Sequence, residues 1–186
     1  MNDTASANAG KGAPCTRGVI LMGVSGTGKT TVGRAFTDRF GWRFVDADDL
    51  HPPANKAKMA RGEPLNDDDR WPWLDAVRRH LVDAVAHREG PGLIVGCSAL
   101  RRVYRDRLRR PDEPIALAFL QARYEDLRER LKRRGGHFFP LALLDSQFAT
   151  LEPPTDDEKA IPLDATRPVP ALVDTLGHGL GLSACD

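Results

Sequence analysis

Cysteine is scarce: three in 186 residues, at 15, 97 and 185, with no C-x-x-C pair. An odd count at wide spacing leaves no disulfide framework and fits a reducing compartment. Cys97 lies inside an apolar run and reads as a small core residue rather than a nucleophile. No apolar run approaches the roughly 20 residues needed to cross a bilayer. The N-terminus also lacks the apolar core of a signal peptide. The expectation is therefore a cytoplasmic protein with no membrane partner. An excess of one charge sign is missing too, since 27 Lys and Arg face 26 Asp and Glu for a net charge of +1. Nothing global draws the chain to nucleic acid. Aromatic residues make up only 6% and do not interleave with the basic segments, which argues further against a polynucleotide surface. There is no internal repeat.

What is present begins at Gly23-Val24-Ser25-Gly26-Thr27-Gly28-Lys29-Thr30, which fits G-x-x-x-x-G-K-[ST] at every fixed position. The short apolar run before it reads as a buried strand and Thr31 to Phe40 after it as a helix, the context a phosphate-binding P-loop requires. Glycines at 23, 26 and 28 let successive N–H groups turn inward toward phosphate oxygens. The helix that follows adds the positive end of its dipole. Lys29 can reach the β- and γ-phosphates, and the Thr30 hydroxyl can ligate a bridging Mg²⁺. The nucleotide-binding set expected is Gly23 to Thr30 with Thr31 and, from a later basic segment, Arg130. The cofactors expected are ATP and Mg²⁺.

Along the chain, residues 1–17 read as a disordered tail and 18–186 as one domain. Strands are expected at 17–22, 42–45, 92–97, 115–120 and 160–164, the last near an edge because of Pro162. Helices are expected at 31–40, 54–62, 70–88 (capped by Asp67, Asp68 or Asp69), 99–110, 124–134, 141–151 and 169–180. Strands alternating with helices imply an α/β fold with a parallel central sheet and helices on both faces. Ligands should sit at the carboxyl ends of the strands.

Length and the lack of an N-K-x-D run separate this chain from Ras-like GTPases and point to a small-molecule kinase. Asp46-Ala47-Asp48 ends the second strand, and alternate residues there face one side. One carboxylate can organise Mg²⁺ and the other can take the hydrogen bond or proton of an attacking hydroxyl. The run Arg130-Leu131-Lys132-Arg133-Arg134-Gly135-Gly136-His137 supplies arginines for phosphoryl charge and a glycine hinge for a lid over about 132–141. No acidic residue ends the third strand, where Gly96-Cys97-Ser98 stands instead. Ser98 is a candidate to orient a metal-bound water while Asp46 takes the carboxylate role.

Asp46-Ala47-Asp48-Asp49-Leu50-His51-Pro52, Gly62-Glu63-Pro64-Leu65-Asn66-Asp67-Asp68-Asp69-Arg70, Cys97-Ser98-Ala99-Leu100, Gly136-His137-Phe138 and Ser146-Gln147-Phe148 with Leu151-Glu152-Pro153 together resemble the gluconokinases. The resemblance runs from about residue 19 to 165. It implies a nucleoside-monophosphate-kinase-like fold related to shikimate kinase and ATP-dependent phosphorylation of D-gluconate at its 6-hydroxyl. It also implies a homodimer. By that similarity Asp48 holds the substrate hydroxyls and acts as base, with Asp46 nearer the metal. Lys29 and Thr30 of the P-loop join them as catalytic residue and metal ligand, and Arg134 of the basic run joins them in catalysis. The remaining substrate contacts expected are Ser98, Arg70, Arg101, Arg105 and His137. The last four are candidates for the gluconate carboxylate, which calls for a bidentate arginine or an equivalent donor. Arg101-Arg102 departs from the lysine pair common after C-S-A-L in that family. Another acceptor on the same fold, or a basic nucleic-acid surface across Arg101 to Arg110, are the alternatives.

Overall fold

The computed structural model describes residues 16–87, 89–133 and 141–182. Five strands, β1 (Gly18–Met22), β2 (Arg43–Asp46), β3 (Leu93–Gly96), β4 (Ile115–Gln121) and β5 (Ile161–Asp164), form one sheet in the order β2-β3-β1-β4-β5. Every neighbouring pair is parallel. The helices described are α1 (Lys29–Phe40), α2 (Pro53–Ala60), α3 (Asp67–Ala86), α4 (Arg102–Leu108), α5 (Tyr124–Arg133), α6 (Leu141–Thr150) and α7 (Val169–Gly179). Because the chain places β2 and β3 on one side of β1 and β4 and β5 on the other, the turn after β1 lies at the topological switch point. Parallel α/β sheets open a ligand crevice there.

All five residues of β1 are buried, and their alternation divides the core in two. Ile20 and Met22 pack with Leu74, Val77 and Leu81 of α3 and with Tyr104 and Leu108 of α4. Val19 and Leu21 face the other way, onto Val32 and Phe36 of α1 and Leu172, Val173 and Leu176 of α7. A strand covered on both faces has no polar side to show, which explains the unbroken apolar runs in the sequence. A third, smaller cluster joins Val24 of the P-loop to Leu100, Leu127 of α5 and Leu144 of α6, with Phe148 and Leu151 against it.

Several boundaries move for identifiable reasons. Arg17 already belongs to the fold, since its N–H donates to the Pro114 carbonyl and its own carbonyl accepts from Leu93. The cap of α3 is Asn66 rather than an aspartate: its side chain accepts from the Asp69 N–H, and Asp69 reaches back to the Asn66 N–H. This capping box satisfies two end donors at once. The helix expected from Ala99 is shortened to α4, because Ala99 takes φ 44, a left-handed conformation that cannot be part of a right-handed helix. Most of the expected tail (1–15) and of the lid, including Arg134 and His137, lies outside the described residues.

Candidate active site

The P-loop joins β1 to α1 at the carboxyl edge of the sheet. Gly23, Gly26 and Gly28 all hold positive φ, at 149°, 86° and 103°. At Gly23 a Cβ would stand 2.8 Å from the Leu120 carbonyl, so this glycine serves close packing as well as the turn. The N–H groups of Gly26 and Gly28 have no hydrogen-bond partner among the described residues. Unpaired N–H groups at the start of a helix are what a phosphate cradle needs. Thr27 differs: its hydroxyl donates to the Val24 carbonyl at 2.9 Å and its N–H to the same oxygen at 3.4 Å, so the residue braces the loop from within. Val24 is buried, while Thr31 lies on the exposed side of α1.

Lys29 donates to the Gly23 and Val24 carbonyls at 2.9 and 3.2 Å, which lays its ammonium along the loop. Burial lowers its pKa, opposed by the fields of Asp48 and Asp46. The Thr30 hydroxyl donates to Asp46 Oδ2 at 2.9 Å, and the Asp48 N–H donates to Asp46 Oδ1 at 3.2 Å. Both oxygens of Asp46 are thus engaged. No donor among the described residues reaches the carboxylate of Asp48. Asp48 is exposed by area, yet enough protein surrounds its carboxyl group to raise the pKa by lost hydration, with the neighbouring Asp46 second and Lys29 opposing.

The missing acid at the end of β3 is explained by register. Asp46 pairs with Gly96 across the β2–β3 ladder, so a carboxylate from the adjacent strand reaches the place where β3 has none. Cys97 behind it is buried, and burial pushes its thiol up to about 12, which keeps it neutral and unreactive. The Ser98 carbonyl accepts from the Gly23 N–H at 3.4 Å, tying the C-S-A-L segment to the P-loop. A hydroxyl and a carboxylate in contact, both hard oxygen donors, suit Mg²⁺, so Thr30 and Asp46 fit the expected metal.

The arginines separate into groups. Arg70 and Arg101 converge on Tyr104, their guanidinium carbons 5.7 and 5.2 Å from its ring centre. Both also reach Asp67, Arg101 at 2.8 Å, and the Tyr104 hydroxyl donates to the same carboxylate at 2.5 Å. Arg105 does not join them. It is 1% exposed and forms a two-point ion pair with Glu158 at 2.6 and 2.8 Å. Its remaining amino group donates to the carbonyls of Ala99, Leu100 and Glu152. Every nitrogen of this guanidinium is used inside the protein, which corrects the expectation of a donor free for substrate. Arg102 and Arg107 turn to Asp157 and Asp75, both at 2.7 Å, so the crowded basic segment is interlaced with carboxylates. Arg130 donates to the Ala165 carbonyl at 3.0 Å, just past the end of β5.

Two features carried no role in the sequence reading. Gln147 of α6 bonds Ser25 in the P-loop through both ends of its carboxamide. His51 is buried and stacks on Trp73 with ring centres 4.2 Å apart, while the Trp73 N–H donates to the Ala47 carbonyl at 2.6 Å. Asn55 donates to the Asp69 carbonyl at 2.7 Å and meets His51 Nδ1 at 3.3 Å. The carbonyl orients the amide, so Nδ1 accepts and the imidazole proton sits on Nε2. This cluster fastens the Asp46–His51 segment to α3. A spacing search has no signal for it, because the partners come from three elements.

A family model described as an AAA domain matches residues 19–154, the stretch that carries the P-loop. A gluconokinase from Gluconobacter oxydans (strain 621H) is 50% identical over 145 residues, covering 78% of this chain and 80% of that protein. The crystal structure of a gluconokinase from Sinorhizobium meliloti 1021 superposes with a TM-score of 0.78 at 40% identity, over 90% of this chain and 93% of that one. A shikimate kinase from Bacteroides thetaiotaomicron shares the fold alone, with a TM-score of 0.59 at 19% identity over 88% of this chain and 98% of that one.

Proposed function

The chain belongs to the gluconokinase family, and from that premise and the geometry of the cleft we propose that it transfers the γ-phosphoryl group of ATP to the 6-hydroxyl of D-gluconate. The products are 6-phospho-D-gluconate and ADP. The observation that carries the reading is the meeting of Lys29, Thr30, Asp46 and Asp48 at one edge of the sheet, beside the N–H groups of Gly26 and Gly28, which have no partner among the described residues.

The hydroxyl oxygen attacks the γ-phosphorus, the bond to the β–γ bridging oxygen breaks, and ADP leaves. Asp48 takes the hydroxyl proton, because its carboxylate is exposed to the incoming acceptor and lost hydration raises its pKa toward that of a working base. Lys29 leaves its two carbonyls for the β- and γ-phosphate oxygens. Thr30 and Asp46 would hold Mg²⁺, which would supply positive charge against the phosphates. Gly23 to Thr31 line the phosphate side and Arg130 the nucleotide side. Arg70 and Arg101, arranged around Tyr104, clamp the gluconate carboxylate, with Ser98 nearby for a hydroxyl. The basic run before the glycine pair offers Arg134 for transition-state charge, and His137 is a further candidate for the gluconate carboxylate. The family resemblance supports a homodimer, and the sequence's lack of a signal-peptide core is the ground for placing it in the cytoplasm. No helix among the described residues is long and apolar enough to cross a membrane.

The test is ADP release with Mg-ATP and D-gluconate, shikimate, glucose, AMP or no acceptor. Turnover with gluconate well above every other arm is expected. Equal rates with and without gluconate would overturn the acceptor assignment and leave only the phosphate site.

A further inference from the structure

Gln147 occupies an unusual place on α6. Leu144, Gln147 and Phe148 share a face of α6 at helical spacing, and Leu151 follows just past the helix end. The apolar three pack into the cluster around Val24, Leu100 and Leu127. Gln147 is thus the polar member of an otherwise apolar docking face, and a partly buried carboxamide is costly unless both its ends are bonded. Both are. Its Oε1 accepts from the Ser25 N–H at 2.6 Å and its Nε2 donates to Ser25 Oγ at 3.0 Å. A backbone N–H accepts nothing, so it meets the carbonyl end, and the amino end is left for the hydroxyl.

Ser25 is the third residue of the P-loop. Its N–H is taken by Gln147, whereas those of Gly26 and Gly28 stay unpartnered among the described residues. The carboxamide therefore marks where the phosphate cradle begins. We propose that Gln147 is a positioning residue for phosphoryl transfer: by clasping Ser25 at two points it holds the following N–H groups in their phosphate-facing arrangement before ATP arrives. It acts through Ser25, and the inference rests on the kinase reading above. Donors fixed in advance stabilise the transferring group without reorganisation at the moment of reaction.

The experiment measures gluconate-dependent kinetics and thermal unfolding for the full chain and for Gln147→Met, Gln147→Asn, Ser25→Ala and the Ser25→Ala/Gln147→Met double variant. Methionine keeps the length without the hydrogen bonds, and asparagine keeps the carboxamide but withdraws it by one methylene. Both should lose kcat by roughly 10- to 100-fold, the scale of a small misplacement near the chemistry. KM for gluconate should stay within about twofold, since Gln147 is not placed to touch the acceptor. The double variant should lose less than the product of the two single losses, because both disturb one clasp. Parental kcat in the Asn variant, losses that multiply, or losses that only follow the unfolded fraction would each overturn the proposal. A parent chain that shows no gluconate-dependent ADP release would instead sink the kinase reading itself.

Discussion

At the scale of single residues, the cleft assigns different work to two carboxylates two positions apart. Asp46 has both oxygens engaged, by the Thr30 hydroxyl and by the Asp48 N–H. Those bonds fix its direction. Asp48 has no such donor among the described residues and faces solvent. A base has to be free to move onto its proton, so in the proposed reaction the transfer is assigned to the freer carboxylate. Asp48→Asn should therefore lower kcat by about 10²- to 10⁴-fold, the usual worth of a positioned base, while leaving ATP affinity within about threefold. Titrating the variant with ATP and measuring its steady-state rate separates the two. Near-parental turnover in the Asn variant would leave Asp48 only an orienting role. The P-loop and this acidic pair were legible in sequence because their spacing is local and their chemistry requires those residue types. Gln147 was not legible as a functional residue, since its partner Ser25 lies 122 positions away and a glutamine on a helix looks ordinary.

At the scale of elements, the C-S-A-L segment and α4 show what a motif conceals. The sequence placed Arg101 and Arg105 side by side as candidate substrate contacts, four residues apart on one presumed helix. The left-handed turn at Ala99 delays the helix to Arg102. Arg101 is left at its extended N-cap beside Asp67 and Tyr104, while Arg105 is carried inward to Glu158. The Arg105–Glu158 pair pins α4 to the 3-10 turn Asp156–Glu158, whose Thr155 and Glu158 also form a capping box. Truncating one partner of so buried a pair strands the other charge, so Arg105→Ala should cost about 3–5 kcal/mol, read from urea unfolding. Arg105→Lys should recover only part of this, because an ammonium cannot reproduce the two-point contact. Gluconate KM of the folded fraction should barely move. Unchanged stability with a raised KM would return Arg105 to the substrate site.

At the scale of the whole molecule, the same economy of buried polar groups makes stability depend on pH. Burial lowers the pKa of His51 from 6.5 to about 4, helped by the positive fields of Lys56 on α2 and Arg70 on α3. The folded chain thus keeps the imidazole neutral where the unfolded chain would protonate it. The unfolded state binds more protons between those values, so this contribution is fully present above pH 6.5, declines as pH falls, and is gone below about 4. The 2.5-unit gap sets a ceiling of about 3 kcal/mol. A neutral ring suits the site, since it stacks flat on Trp73 and accepts from Asn55, and a protonated Nδ1 would turn that bond into a clash of donors. His51→Gln removes the titrating group and keeps an acceptor. Urea unfolding at pH 7, 5.5 and 4.5 should show the parent losing stability faster than this variant across the window. The carboxylates common to both proteins cancel in the difference. Parallel losses would mean that His51 is as easily protonated in the folded protein as in the unfolded chain. The stack on Trp73 would then tolerate an imidazolium, and the fastening of the Asp46–His51 segment would not depend on a neutral ring.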